Sequence, residues 1–298
     1  MKFRVMIGKG CIDIAKQEIK NLTGKRLVNG HFSTKDAVDG CRLCYCARSI
    51  RNVFLEVTEK KAAEYDEKLI RKIDGKIYVN FSGFSLNQRG YIAKDNPPNL
   101  TSDIAFLAVN EAELRKDQVI LDPLCRGGKF LIEAAHMLNN VAPGRFISKF
   151  AFIGFRIFKK TDFNKMFKQW DKSRKNRLKI WGIDSYTGNI ENARENLKKA
   201  DVDAQLSCRS LDWMDHLFQR QSVDRIITML PPGKHKSTDA LYRELFYQAA
   251  YCLKQDSLMV VLSEREDIMK KYAEQMNFEI TKIHELNSMK LFKLKPLF

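Results

Sequence analysis

From about residue 100 onward the chain alternates strand-like and helix-like stretches, and this alternation constrains the fold more than any other feature. Seven runs have strand composition: QVILDPL, KIWGID, AQLSCRS, VDRIITM, DSLMVVLS, NFEITKI and MKLFKLK. Helical patterns separate them: GKFLIEAAHMLNN, GNIENARENLKKA, TDALYRELFYQAAYCLK and DIMKKYAEQM, with TSDIAFLAVNEAEL leading in. Strands alternating with helices predict an α/β fold with a parallel, doubly wound sheet. The last two runs are joined by a short LNS connection, which suits an antiparallel hairpin at the sheet's end. In such a sheet a ligand sits beyond the carboxyl ends of the strands, where the strand order reverses. The first run ends at Asp122, so the stretch that follows, PLCRGGKF, occupies the place where a ligand is expected.

The N-terminal part reads differently. Residues 1–58 predict a small α+β unit, with strands in KFRVMIG, RLVNGHFSTK and NVFLEVTEK and helices in IDIAKQEIKNLTG and GCRLCYCARSI. Residues 59–75 are charged and end at Gly75, which reads as a linker. KIYVNFSG then alternates with period two and is read as the lead-in of a second domain over 76–298. No apolar run approaches the length of about 18 residues that a membrane helix needs. The opening MKFRVMIGKG has no apolar signal core, so an intracellular, cytoplasmic protein without a membrane partner is expected. The cysteines are odd in number at seven and fit reduced thiols. Cys41, Cys44 and Cys46 cluster, but no second ligand pair lies near them at metal spacing, and no metal is expected. The formal net charge of +16 points to a polyanionic partner, most simply nucleic acid, against the alternative of a lysine-rich surface that carries no message.

Three classes of nucleotide loop bear on PLCRGGKF. A P-loop needs G-x-x-x-x-G-K-[ST], and here Pro123 stands at the first glycine and Phe130 follows Lys129. A dinucleotide loop needs G-x-G-x-x-G, and only Gly127 and Gly128 are present. A doubly wound S-adenosylmethionine site asks for an acid ending the first strand and a glycine turn that lets backbone approach the ligand. It also asks for an acid one strand-helix-strand unit later and another after the next strand. Asp122, Asp184 and Asp212 fall in those places beside Gly127 and Gly128.

These residues carry a resemblance. ILDPLCRGGKFLIEAAHMLNNVAPGRF is similar to the D-P-[FM]-C-G-S-G-T…E-A-A…A-P-G signature of THUMP-associated RNA guanine-N2 methyltransferases. VNFSGFSLNQRGY, FAFIGFRIFKKTDFNKMFKQW and GIDSYTGNIENARENLKKADV resemble further segments of the family's bacterial large-subunit rRNA branch. The resemblance covers 76–298 and extends more weakly to 1–58, which is similar to the family's ferredoxin-like N-terminal unit. It implies a class I, Rossmann-like methyltransferase sheet. It also implies S-adenosylmethionine as cofactor and transfer of a methyl group to the exocyclic N2 of a guanine in RNA, with rRNA the expected partner. The family's catalytic N-P-P-Y loop accepts hydrogen bonds from the base amine and stacks on the base, so its catalysis is mainly positioning.

The chain departs from that pattern in three places. TMLPPGKHK has Leu230 at the Asn position and Gly233 at the Tyr position, while Pro231 and Pro232 match. Arg126 and Gly127 replace Gly-Ser, and Lys129 replaces Thr. The THUMP domain of the family would fall between the N-terminal unit and residue 76, where only 59–75 stand, so a separate RNA-binding protein is a further expected partner. A basic face is the expected substitute RNA contact: Lys159, Lys160, Lys168, Lys172, Arg174 and Lys175, with Arg126 at the turn. The aromatics interleaved with it, Phe163, Phe167 and Trp170, are expected to pack inward. Leu230, Pro231 and Pro232 would line the target-base pocket. Two readings stay open: an active methyltransferase, or a methyltransferase-like protein that binds RNA or a protein partner without turnover.

Overall fold

The structure is a computed structural model that describes residues 1–93, 100–233 and 236–298, so Lys234 and His235 of the TMLPPGKHK loop lie outside the described residues. In chain order the elements are β1 (Lys2–Ile7), α1 (Ile12–Thr23), β2 (His31–Ser33), α2 (Val38–Cys46), β3 (Ile50–Val57), α3 (Glu59–Ala62), β4 (Ile70–Ile73), β5 (Lys76–Asn80), α4 (Ser102–Glu111), β6 (Val119–Asp122), α5 (Lys129–Leu138), α6 (Phe163–Trp170), β7 (Lys179–Asp184), α7 (Thr187–Lys199), β8 (Gln205–Cys208), α8 (Met214–Leu217), β9 (Val223–Met229), α9 (Lys236–Cys252), β10 (Leu253–Ser263), α10 (Glu266–Gln275), β11 (Phe278–Glu285) and β12 (Lys290–Pro296). They form two compact units. The first holds Met1–Gly90, Thr101–Ile104 and Asn140–Arg174; the second holds Ala105–Asn139, Lys175–Phe298 and the lead-in from Tyr91.

The first unit is built on a five-stranded antiparallel sheet in the order β2-β1-β3-β5-β4. Its N-terminal elements follow the apolar periodicity of the sequence; α1 buries Ala15 and Ile19 and stops at Gly24, whose φ is 71°. The stretch read as a linker is instead structured. Residues 59–75 contribute α3 and the edge strand β4, and Ile73 pairs with Lys76 across Asp74 and Gly75. Both turn residues have positive φ, 49° and 73°, as a two-residue hairpin turn requires. β5, read as the start of the second domain, pairs with β3. The boundary therefore falls beyond the hairpin, because two short strands found partners in the first sheet rather than the second.

Residues 140–170 close the core of this first unit. Phe150, Phe152, Phe155, Phe158 and Phe163 are buried and share one cluster with Phe3, Tyr45 and Phe81. Phe167 stacks on Tyr45 with ring centroids 4.4 Å apart, and Phe150 stacks on Phe152 at 5.0 Å. Aromatic pairs of this kind contribute about 0.5–1.5 kcal/mol each beyond the area they bury. Cys41 and Cys44 belong to the same core, and burial raises both thiols far above their usual range. Arg89 of the lead-in donates to the carbonyls of Leu86 and Arg48, which is a structural use of that residue.

The second unit contains all seven expected strands, in the order β11-β12-β10-β9-β6-β7-β8. β6, β7, β8, β9 and β10 run parallel, whereas β12 is antiparallel to both β10 and β11. The order reverses between β6 and β9, so the end of β6 lies at the switch point of a doubly wound sheet. Leu121 pairs with Ile226, which brings Thr228 alongside Asp122. Among the described residues no helix is long and apolar enough to cross a membrane.

Candidate cofactor and substrate-base site

Asp122 ends β6 almost fully buried, at 1% exposure. Its Oδ1 accepts from the Thr228 hydroxyl at 2.8 Å and from the Leu124 amide at 3.2 Å. Burial pushes the carboxyl up to about 7; the two hydrogen bonds and the charge of Arg126 pull it down, and Asp184 adds to the rise.

The turn that follows is pinned from both sides. The Cys125 amide donates to the Ile183 carbonyl of β7 at 2.8 Å, and the Gly128 amide closes the turn onto Cys125 at 2.7 Å. Gly128 has φ 77°, and a Cβ there would stand 3.4 Å from the Cβ of Ala193 on α7. The left-handed backbone asks for glycine, while a Cβ would meet α7 only at ordinary contact distance. α7 buries Ile190, Ala193, Asn196 and Leu197 as one stripe. Through that stripe Asn196 reaches back, donating to the Gly127 carbonyl at 2.9 Å and accepting from the Ala93 amide at 2.8 Å.

Asp184 ends β7 with a side chain held by three donors. Its Oδ2 accepts from the Arg126 amide at 3.0 Å, and its Oδ1 accepts from the Tyr186 amide at 3.0 Å and from Asn189 at 2.9 Å. The two strand-end acids and the glycine turn are thus assembled into one group. Asp212 sits in the helical turn after β8, exposed, and accepts from the Ser210 hydroxyl. Trp213 beside it is also exposed, with the Arg209 guanidinium 5.4 Å from its ring centroid.

The two long side chains of the turn go to different places. Lys129 is buried at the start of α5, and its ammonium donates to the Leu100 carbonyl. Arg126, read as an RNA contact, is only partly exposed and has φ 47°. Burial lowers the pKa of its guanidinium, and the charges of Asp122 and Asp184 oppose that shift. The guanidinium is thus close enough to feel both acids, but among the described residues it makes no ion pair with either.

The loop after β9 is apolar where a polar group was sought. Leu230 is 2% exposed and belongs to the core of the second unit, and its amide donates to the Leu262 carbonyl at 3.0 Å. With Pro232, Leu262 and Met289 it borders only a narrow hollow. Pro232 is exposed and Pro231 partly so. Gly233 accepts from Arg265 at 3.2 Å. The basic residues Lys159, Lys160, Lys168, Lys172, Arg174 and Lys175 are exposed as expected. Sequence reasoning missed Thr228, Asn189 and Asn196 as partners of the site. Asn196 was within reach, because it shares one helical face with Ile190 and Ala193 behind the second acid. Among the described residues no cluster of three His, Cys, Asp or Glu side chains is placed to hold a metal.

A parallel sheet with this strand order, with acids at the ends of adjacent strands around a glycine turn, defines a class I methyltransferase fold. The family model for the RMKL-like methyltransferase domain (UPF0020) matches residues 89–292, and the chain belongs to that family. It is similar to the tRNA (guanine(6)-N2)-methyltransferase of Methanocaldococcus jannaschii, at 29% identity over 204 residues covering 66% of this chain and 52% of that protein. It is also similar to the ribosomal RNA large subunit methyltransferase K/L of Buchnera aphidicola, at 26% identity over 57% of this chain and 26% of that protein. The chain thus spans about half the length of the first relative and about a quarter of the second. Among solved structures, SMU.472 complexed with SAH matches with a TM-score of 0.82 and 17% identity, over 100% of this chain and 98% of that one.

Proposed function

We propose that this chain is an S-adenosylmethionine-dependent RNA methyltransferase acting on the exocyclic N2 of a guanine. Relatives named for tRNA and for large-subunit rRNA support the RNA class, with rRNA the substrate expected from the sequence. The observation that carries the reading is the Asp122–glycine turn–Asp184 group at the switch point of the sheet.

The residues fit an adenosyl group. Gly127 and Gly128 present backbone without side chains, and the Asp184 Oδ2 accepts a single protein donor and keeps capacity for a ribose hydroxyl. Asp212 is exposed at the next strand end as an acceptor for an adenine amine, with the Trp213 face beside it. When bound, S-adenosylmethionine supplies the methyl group. The chain's own part is positioning: the carbonyls of Leu230 and Pro231 would accept from the guanine amine, and exposed Pro232 would border the base. Presenting that amine requires the guanine to be unstacked, at a cost of a few kcal/mol.

A second reading, a methyltransferase-like RNA-binding protein without turnover, is favoured by the partly buried Arg126 cation near the acids and by Leu230 turned into the core. Calorimetric titration with S-adenosylmethionine separates the two. Measurable heat, followed by N2-methylguanosine in nucleoside digests of incubated RNA, supports the enzyme. No heat at about millimolar ligand, a Kd weaker than roughly 4 kcal/mol of binding, would refute it.

A further inference from the structure

The segment 153–167 of the first unit encloses a depression of about 610 Å³. That is within the range of about 300–1,000 Å³ seen for ligand sites. Its floor is aromatic. Phe155, Phe158 and Phe163 are each less than 10% exposed, and Phe158 and Phe163 meet edge to face at 5.4 Å. Rings held by one another in this way form a rigid floor rather than mobile side chains. The wall carries Thr161 and Asn164, whose side chains can hydrogen-bond a ligand edge, and Ile153, which is 41% exposed. The rim carries the exposed cations Arg156 and Lys159.

The rim leans positive. Among the described residues neither Arg156 nor Lys159 makes an ion pair. Asp162, the one acid lining the depression, is turned to capping α6 by accepting from the Lys165 amide at 3.1 Å. Asp171 accepts from Arg145 at 3.2 Å and from the Ala142 amide at 3.3 Å. An acidic peptide would use the cations but has no need of the aromatic floor. A single-stranded nucleic acid uses both, with phosphates on the rim and a base over the floor.

We propose that this depression seats one unstacked nucleotide of a single-stranded RNA segment, with Arg156 and Lys159 on its phosphates and Thr161 and Asn164 at the base edge. The proposal rests on the RNA reading above but not on methyl transfer. Exposed positions make the variants safe for folding, which thermal melts would check.

The test is fluorescence polarisation with a labelled single-stranded RNA, without S-adenosylmethionine. The competitors are an abasic oligonucleotide of equal length and polyglutamate. Arg156→Glu with Lys159→Glu is expected to weaken RNA binding about tenfold or more and to flatten the salt dependence by a slope of about 1.4, the share of two single-strand phosphate contacts. The abasic strand is expected to bind the unaltered protein about tenfold more weakly than the RNA. A control pair on α7, Lys198→Glu with Lys199→Glu, is expected to lose much less. Equal losses from both pairs, equal binding of the abasic strand, or competition by polyglutamate as strong as that by RNA would each overturn the seat. RNA bound at this seat together with no heat in the S-adenosylmethionine titration would instead sink the enzyme reading and leave the seat standing.

Discussion

Two loops at the switch point, the turn after β6 and the loop after β9, have been treated differently by this sequence. The turn keeps its polar architecture: Asp184 accepts from three donors and the Gly127 carbonyl accepts from Asn196, although Arg126 has entered. The loop keeps only its two prolines, and its remaining key position has been absorbed into the core as Leu230. The difference is physical. The turn's acids hold the backbone of neighbouring strands and helices, so losing one would strand several buried donors. The loop's polar residue would serve a substrate alone, and replacing it by leucine adds apolar burial. Folding therefore protects the cofactor side of the site and not the base side.

The largest expected effect comes from restoring the family residue in the loop. Leu230→Asn puts an amide into a core position that is 2% exposed, and should destabilise the protein by about 2–4 kcal/mol. Urea denaturation measures this. An unchanged midpoint together with a gain in methyl transfer would mean that the leucine is not a core residue and the contrast is wrong. Next is Asp184→Ala, which leaves the Arg126 and Tyr186 amides and Asn189 without their acceptor. S-adenosylmethionine affinity should fall by about one to two decades, the scale of a lost charge-assisted bond. An unchanged affinity in calorimetry places the ribose elsewhere.

Arg126→Gly sharpens the comparison from the other side. Glycine accepts the φ of 47° without strain, and the change removes a cation near both acids. Cofactor affinity should rise, by about tenfold if the freed site is worth 1.4 kcal/mol. A fall would assign Arg126 to the cofactor's carboxylate instead.

The last effect is in pH and reads stability rather than cofactor binding. The folded carboxyl of Asp122 titrates near about 7, above its ordinary 3.8, so the unfolded chain releases this proton first. Stability from this group is greatest below pH about 4 and is lost as pH rises toward 7. Asp122→Asn should flatten that part of the stability profile by up to about one proton's slope. Identical slopes in the two proteins would show that the acid is already charged.

Much of this was legible in one dimension. Alternation of apolar runs placed the seven strands, and the spacing of acids behind them placed Asp122 and Asp184 at strand ends and Asp212 in the turn after the next strand. The Asp74-Gly75 hairpin was not read, although Asp-Gly is a strong hairpin signal, because the charged residues of β4 hid the strand before it. β4 is an edge strand, where lysine and arginine are favoured and alternation is faint.

The chain's own order of residues determined which segments are strands and helices, because periodic burial is a local pattern written every two or every three to four positions. Only the tertiary structure decided which sheet took β5, which hydroxyl met Asp122, where Arg126 pointed and whether Leu230 faced solvent. Those outcomes depend on register between strands far apart in sequence, and a side chain's direction follows from its neighbours in space rather than its neighbours in the chain.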